Sequence, residues 1–366
     1  MKRRDFLTAA GAGLAASALA APALAQGAPE IRWRMASSFP KSLDILFGGA
    51  ELVARRVAEL TDNKFQIRVF AAGEIVPGLQ VLDAVQAGAG QLGPTPSHHY
   101  VGKDPTFALE TTLPFGLNAR QHRAWMMRGG GRELIAEFMK DYNIHPIPAG
   151  NTGAQMGGWF RKEIKSLEDL KGLKMRIAGI AGQVMTRLGV VPQQIAGGDI
   201  YPALEKGTID AVEWVGPYDD EKLGFQKVAK YYYYPGWFEG SAQVSMYVNQ
   251  GQWQQLPKQY QTALETACAE AYEWILAGYD AQNPLALRRL VADGAQLRPF
   301  PRDALEAAYK VSFQIYDEIA AQNANFKKIY DHWRKFRDDQ YLWFRVAENP
   351  FENFVYAMTA QQGQSR

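Results

Sequence analysis

Residues 31–70 read IRWRMASSFPKSLDILFGGAELVARRVAELTDNKFQIRVF, and the periodicity of this segment decides the fold class. Ile31–Ala36 and Phe65–Phe70 alternate in polarity, as strands with one covered face do. Between them, Leu43–Leu60 spaces its apolar residues three and four apart, the signature of an amphipathic helix. Strand, helix and strand in that order predict a βαβ unit, hence an α/β protein with a mostly parallel sheet covered by helices.

The same grammar continues outward. Leu79–Ala87 predicts a short helix and Gln91–Thr95 a brief strand. The pattern restarts after Ile144. HPIPAGNTGAQMGGWF reads as strand, turn and strand, and Ser166 with acids close behind it reads as a helix start. Strands at Leu173–Ile177, Pro192–Ile195 and Thr208–Glu213 alternate with helices at Gly182–Leu188 and Asp199–Lys206, which makes a second α/β unit. No internal repeat is visible. From about Pro257 the chain turns helical, with an interruption expected near Asn283-Pro284. Helices over Arg302–Ala321 and Phe326–Met358 follow. The last stretch, YLWFRVAENPFENFVYAM, is rich in aromatics and suits either packing on its own domain or burial against a second copy.

The first 25 residues read as a leader. Lys2, Arg3 and Arg4 precede a small-residue apolar run, Ala23-Leu24-Ala25 fits a cleavage site, and RRDFL fits the twin-arginine pattern, so export to the periplasm with cleavage after Ala25 is expected. The chain has 40 Lys+Arg and 38 Asp+Glu; the leader takes three and one of these, so residues 26–366 carry 37 of each sign. That balance offers no basic patch for nucleic acid, and no later apolar run is long enough to span a membrane. The one cysteine, Cys268, forms no internal disulfide and reads as a small buried residue.

Catalytic signatures are scarce: GxSxG, HExxH, GxxxxGK[ST], CxxC and a strand-following GxGxxG are all missing. Gly129–Gly131 reads as a helix-start turn. His98 and His99, read as strand neighbours, would point to opposite faces and make a poor metal pair. Three places remain. Asn151–Arg161 is glycine-rich and carries one amide, Gln155. Arg176 stands near the carboxyl end of a strand, where open α/β sheets bind ligands, and its planar fork suits a carboxylate. Glu213 continues an apolar strand face into Trp214, and Glu239 follows YYYYPGWF. Two carboxylates and an amide oxygen are hard ligands, suited to Na+, Ca2+ or Mg2+ and not to zinc or copper.

Over GNTGAQMGGWFRKEIKSLEDLKGLKMR and LEKGTIDAVEW the chain resembles the solute-binding subunits of tripartite ATP-independent periplasmic (TRAP) transporters, most of all their 2-oxoacid-binding branch. ASSFPKSLD, AAGEIVPGLQ and YVGKDPTFAL extend the resemblance through most of the chain. It implies a periplasmic-binding-protein fold: two domains around a ligand cleft, a long connecting helix and a helical C-terminal region. The expected division is domain I over 26–148 with a returning segment near 238–270, and domain II over 149–237 with the helical segments of 271–366. The resemblance further implies a non-enzymatic receptor for a small monocarboxylic 2-oxoacid such as pyruvate, which it hands to a TRAP membrane permease. Arg176 would pair with the ligand carboxylate, and Tyr100 would also touch the ligand. A bridging cation would be held by Gln155, Glu213, the Trp214 carbonyl and Glu239. Na+ follows from the branch; charge counting favours Ca2+ mildly. His98 and His99 depart from the branch, which more often carries aromatic or apolar residues there. Three rivals stay open: a Ca2+-dependent lactate or 2-hydroxyacid receptor, a metal-dependent oxoacid lyase, and a structural or signalling sensor domain without a cognate permease. A homodimer through the last helix is an open expectation.

Overall fold

The computed structural model describes residues 29–364, so the leader expected over 1–25 lies outside the described residues. In chain order the strands are β1 (Ile31–Ala36), β2 (Phe65–Phe70), β3 (Leu92–Thr95), β4 (Ile144–Asn151), β5 (Gly158–Phe160) and β6 (Lys174–Arg176). They continue with β7 (Val191–Gln193), β8 (Ala211–Val212), β9 (Tyr231–Tyr234), β10 (Gln243–Asn249) and β11 (Gln296–Pro299). These form two sheets, ordered β2-β1-β3-β10-β4 and β11-β9-β5-β8-β6-β7. The βαβ reading of 31–70 is realised directly: β1 and β2 run parallel with Ile31 opposite Phe65, and helix Leu46–Leu60 buries Leu46, Phe47, Leu52, Val53 and Val57.

The sheets are mixed where a mostly parallel arrangement was expected. β10 runs antiparallel to both β3 and β4, and β5 runs antiparallel to β8 and β9. The cause is connectivity. The chain leaves the first sheet through β4 and comes back through β10, so the outgoing and returning strands run opposite ways. Neither β9 nor β10 was anticipated as a strand: QVSMYVN is buried along its length, and YYYY buries both central tyrosines, so neither shows a clean alternation.

The helix Lys258–Ala292 runs unbroken through Pro284, contrary to the expected interruption. A proline inside a helix costs about 3 kcal/mol, and packing offsets it here. Tyr279, Ala286 and Leu290 are buried on either side, and Asn283 Oδ1 accepts a hydrogen bond from the Tyr218 amide. This helix packs on β4 in the first unit and on helix Pro217–Leu223 in the second, so it ties the two together.

The C-terminal helices divide between the units. Arg302–Gln322 packs on helix Gly179–Arg187 of the second unit. Ala324–Ala347 returns to the first unit, where Phe326, Ile329, Tyr330 and Trp333 join one core with Phe107, Trp125 and Ile135. The final helix, Asn349–Gln364, leaves Phe351 and Phe354 each 67% exposed. No helix among the described residues is long and apolar enough to cross a membrane.

Candidate functional site

Two segments cross between the sheets side by side, 151–158 outward and 234–243 back. Thr152 N donates to Ala242 O, and Ala242 N donates to Thr152 Oγ1, each at 3.0 Å. Gly157 N reaches Tyr233 O at 2.7 Å, and Gly236 N reaches Gln155 O at 3.1 Å. Gly236 is required by this approach, since a Cβ there would lie 2.5 Å from the Gln155 carbonyl oxygen. The same clasp sets the Gln155 side chain, whose Nε2 donates to Thr152 Oγ1 at 2.9 Å. The other end of the amide, Oε1, takes no part in that bond.

Arg176 closes β6 and Glu213 follows β8 directly. The two strands are parallel neighbours with Arg176 opposite Val212, so both side chains emerge at the carboxyl edge of the second sheet, where α/β proteins bind ligands. Arg176 is 2% exposed. Its Nη1 donates to Glu213 Oε2 at 2.9 Å and to the Glu213 carbonyl at 2.5 Å, and its Nε donates to Ile195 O at 3.2 Å. The guanidinium carbon sits 4.8 Å from the centroid of the Trp214 ring. Burial raises the Glu213 carboxyl well above the ordinary range. Arg176 opposes that shift, while the Glu239 and Asp220 charges add to it.

Trp214 is fixed from behind. Its Nε1 donates to Asp219 Oδ2 at 3.2 Å, and Tyr279 of the long helix donates to the same oxygen at 2.8 Å. The neighbouring Asp220 repeats the arrangement, accepting from Trp159 Nε1 and Tyr232 OH at 3.0 and 2.7 Å. Burial pushes these two carboxyls up to about 6 and about 7. This backing was missed in the sequence. Its only signal is an Asp-Asp pair just after a strand end and a Gly-Pro turn, and that pair looked like an ordinary helix start.

Arg176, Glu213, Trp214, Gln155 and Glu239 all line one cavity. Phe39, Leu46 and Val244 supply apolar wall from the first unit, and Val215 from the second. Tyr100 is not brought to it. The Tyr100 hydroxyl hydrogen-bonds with Thr95 Oγ1 at 2.7 Å and accepts from Leu82 N at 3.1 Å. The ring lies in the core against Phe107 and Tyr247. Its two predecessors reach the cavity instead. His98 and His99 stand on a 3-10 turn, Ser97–Tyr100, not on a strand, so neighbours are not forced to opposite sides. His98 Nδ1 lies 2.8 Å from Glu239 Oε1.

The donor set fits a hard cation. Two buried carboxylates face a single guanidinium, so one further positive charge would balance them. No amide among the described residues donates to the Trp214 carbonyl, and Gln155 Oε1 adds a neutral oxygen. Among the described residues, no three His, Cys, Asp or Glu side chains converge as a metal cluster.

Comparison with known proteins points the same way. The family model for bacterial extracellular solute-binding proteins, family 7 (DctP), matches residues 36–323. The monocarboxylate 2-oxoacid-binding periplasmic protein of Nostoc sp. (strain PCC 7120) is 52% identical over 361 residues, covering 97% of this chain and 99% of the relative. A crystal structure of a TRAP transporter solute-binding protein from Bordetella bronchiseptica RB50 is 55% identical with a TM-score of 0.90, over 91% of this chain and 99% of that one. It is a mixed-occupancy dimer with copurified calcium and picolinate in one site and the other site apo. A TRAP periplasmic solute-binding protein from Pseudoalteromonas atlantica T6c, with bound sodium and pyruvate, is 37% identical with a TM-score of 0.85, over 88% of this chain and 99% of that one.

Proposed function

We infer the function from one premise: the chain belongs to the bacterial extracellular solute-binding proteins of family 7, the receptors of TRAP transporters. We propose that it captures a small 2-oxoacid, pyruvate or a near relative, in the periplasm and delivers it to a membrane permease. The observation that carries this reading is the meeting of Arg176 and Glu213 at the carboxyl edge of two parallel strands, inside a cavity that also holds Glu239 and Gln155.

Each residue then has a task. Arg176 presents a guanidinium fixed by Ile195 O and the Trp214 ring, and its Nη2, unused in these bonds, is offered to the ligand carboxylate. Gln155, Glu213, the Trp214 carbonyl and Glu239 would hold a cation, whose charge offsets the two glutamates and whose open positions accept ligand oxygens. A 2-oxoacid suits this pairing because its C2 oxygen and one carboxylate oxygen chelate, leaving the second carboxylate oxygen for Arg176. Wall residues Phe39, Leu46 and Val244 suit a short apolar tail. Contacts from both units favour a closed cleft when the ligand is present.

Relatives carry either calcium or sodium, so the cation is the variable to test. Ca2+ neutralises the site of two glutamates, one arginine and a monoanionic ligand, whereas Na+ leaves it at −1. A thermal-shift panel of pyruvate, 2-oxobutyrate and lactate, each with Na+, Ca2+ or chelator, tests the whole reading. Stabilisation by oxoacids that depends on one of the ions is expected. Preference for lactate, or indifference to every acid, would overturn it. We propose further that a second copy covers the exposed aromatic face of Asn349–Gln364.

A further inference from the structure

The turn Ser97–Tyr100 delivers two imidazoles to the ligand cavity, and their surroundings differ. His98 is at ion-pair distance from Glu239. Among the described residues His99 has no such carboxylate beside it: its Nδ1 is out of solvent and makes no hydrogen bond. A buried polar atom left unpaired is costly, and in native proteins it calls for an explanation such as a ligand, water or ion.

Nothing about His99 is loose. Its carbonyl accepts from Gln194 Nε2 of the second unit at 3.0 Å. Its ring meets the rings of His98 and Tyr100 edge-on, with centroids 5.0 and 6.2 Å away. Next to it, His98 packs where a Cβ on Gly179 would come within 3.3 Å, so the turn abuts the second unit. Burial most of all, then His98 and Arg176, lowers the His99 imidazole well below its ordinary range. A neutral imidazole carries one N–H donor and one acceptor.

We propose that His99 is the hydrogen-bonding contact that the first unit makes with the ligand, its Nδ1–H donating to an oxygen of the bound 2-oxoacid that Arg176 holds from the second unit. The inference rests on the 2-oxoacid reading above and adds a residue to it. In it, His99 takes the role that the resemblance gives to Tyr100, whose hydroxyl is already spent on Thr95 and Leu82. Because the donor and Arg176 sit on different units, the ligand links them, as Gln194 Nε2 and the His99 carbonyl already do.

The test is calorimetric titration of the full-length protein with pyruvate, in buffer holding Na+ and Ca2+, beside His99→Phe and His99→Asn. Phenylalanine fills the ring's place without a donor, and the asparagine amide keeps a donor near the Nδ1 position. His99→Phe is expected to weaken pyruvate roughly tenfold to a hundredfold. Its thermal midpoint without ligand should hold or rise, because the unpaired nitrogen is gone. His99→Asn should recover most of the affinity. Equal pyruvate binding by native protein and His99→Phe, or an equal loss in both variants, overturns the proposal. A lowered ligand-free midpoint in His99→Phe would mark a packing residue and overturn it as well. Failure of the native protein to bind pyruvate would remove the 2-oxoacid reading and this inference together, whereas native binding with an indifferent variant removes the inference alone.

Discussion

Arg176 and Glu213 form an ion pair across two adjacent strands, with Nη1 2.9 Å from Oε2 and both side chains nearly sealed from solvent. The pair through Nη1 and the Nε bond to Ile195 O fix the arginine in place before any ligand arrives, and among the described residues Nη2 stays uncommitted. Lysine cannot reproduce this, because one ammonium cannot hold Ile195 O, Glu213 and a ligand oxygen in one plane. Arg176→Lys should therefore weaken pyruvate binding by about two orders of magnitude. Calorimetry returning near-native affinity would remove the carboxylate role.

Glu213 stands at the other end of that pair. Glu213→Gln keeps its size and leaves the backbone carbonyl on Arg176, but it removes one of the two charges proposed to hold the cation. Ion-dependent stabilisation in a thermal-shift titration should disappear. Retained stabilisation at the native ion concentration would contradict the assignment.

The indole of Trp214 is held by Asp219, and Asp219 by Tyr279. Tyr279→Phe deletes one hydroxyl and leaves a buried carboxylate one donor short, which should cost about 1–3 kcal/mol in urea unfolding. Pyruvate binding should weaken with it, since the ring under Arg176 loses its support. Unchanged stability and affinity would show that the relay does not matter.

Glu110 is a titratable group well inside the first unit. Its Oε2 accepts from Tyr247 OH at 2.7 Å, and burial pushes the carboxyl from 4.5 up to about 7 against its hydrogen bonds. The folded chain then keeps a proton that the unfolded chain releases above pH 4.5. This contribution to stability is complete below that pH and is lost as pH rises toward 7, by up to about 3 kcal/mol. Glu110→Gln should flatten that part of the stability profile, measured by denaturant unfolding from pH 4.5 to 8. A slope identical to the native one would refute it.

The exposed aromatics of the last helix give a fifth expectation. Phe351→Glu with Phe354→Glu should shift sedimentation from dimer to monomer while leaving pyruvate binding in place. A native protein that sediments as a monomer at micromolar concentration would discard the second-copy proposal.

Local chemistry carried much of the fold. β1 and β2 were legible to the residue, because alternation in IRWRMA and FQIRVF reflects one covered face, which is a property of each segment alone. YYYY and QVSMYVN were not legible as strands, because the whole of QVSMYVN and the two central tyrosines of YYYY are buried whichever face they point to, and burial is decided by distant partners. Pro284 misled for a related reason: its local cost is real, but the long helix is held by packing on two units.

The site divides along the same line. From the sequence alone came the α/β class, the chemical types of the site residues, and, through the family resemblance, the names Gln155, Arg176, Glu213, Trp214 and Glu239. The resemblance rests on the order of residues in runs such as LKGLKMR and LEKGTIDAVEW, which is a property of the sequence itself. Only the tertiary structure decided that Arg176 bonds Glu213, that Asp219 and Tyr279 back Trp214, and that the turn before Tyr100 turns His98 and His99 into the cavity and Tyr100 into the core. The physical reason is that these contacts join segments far apart in sequence, brought together by two crossing strands and one long helix, and no local period records which side chains will meet there.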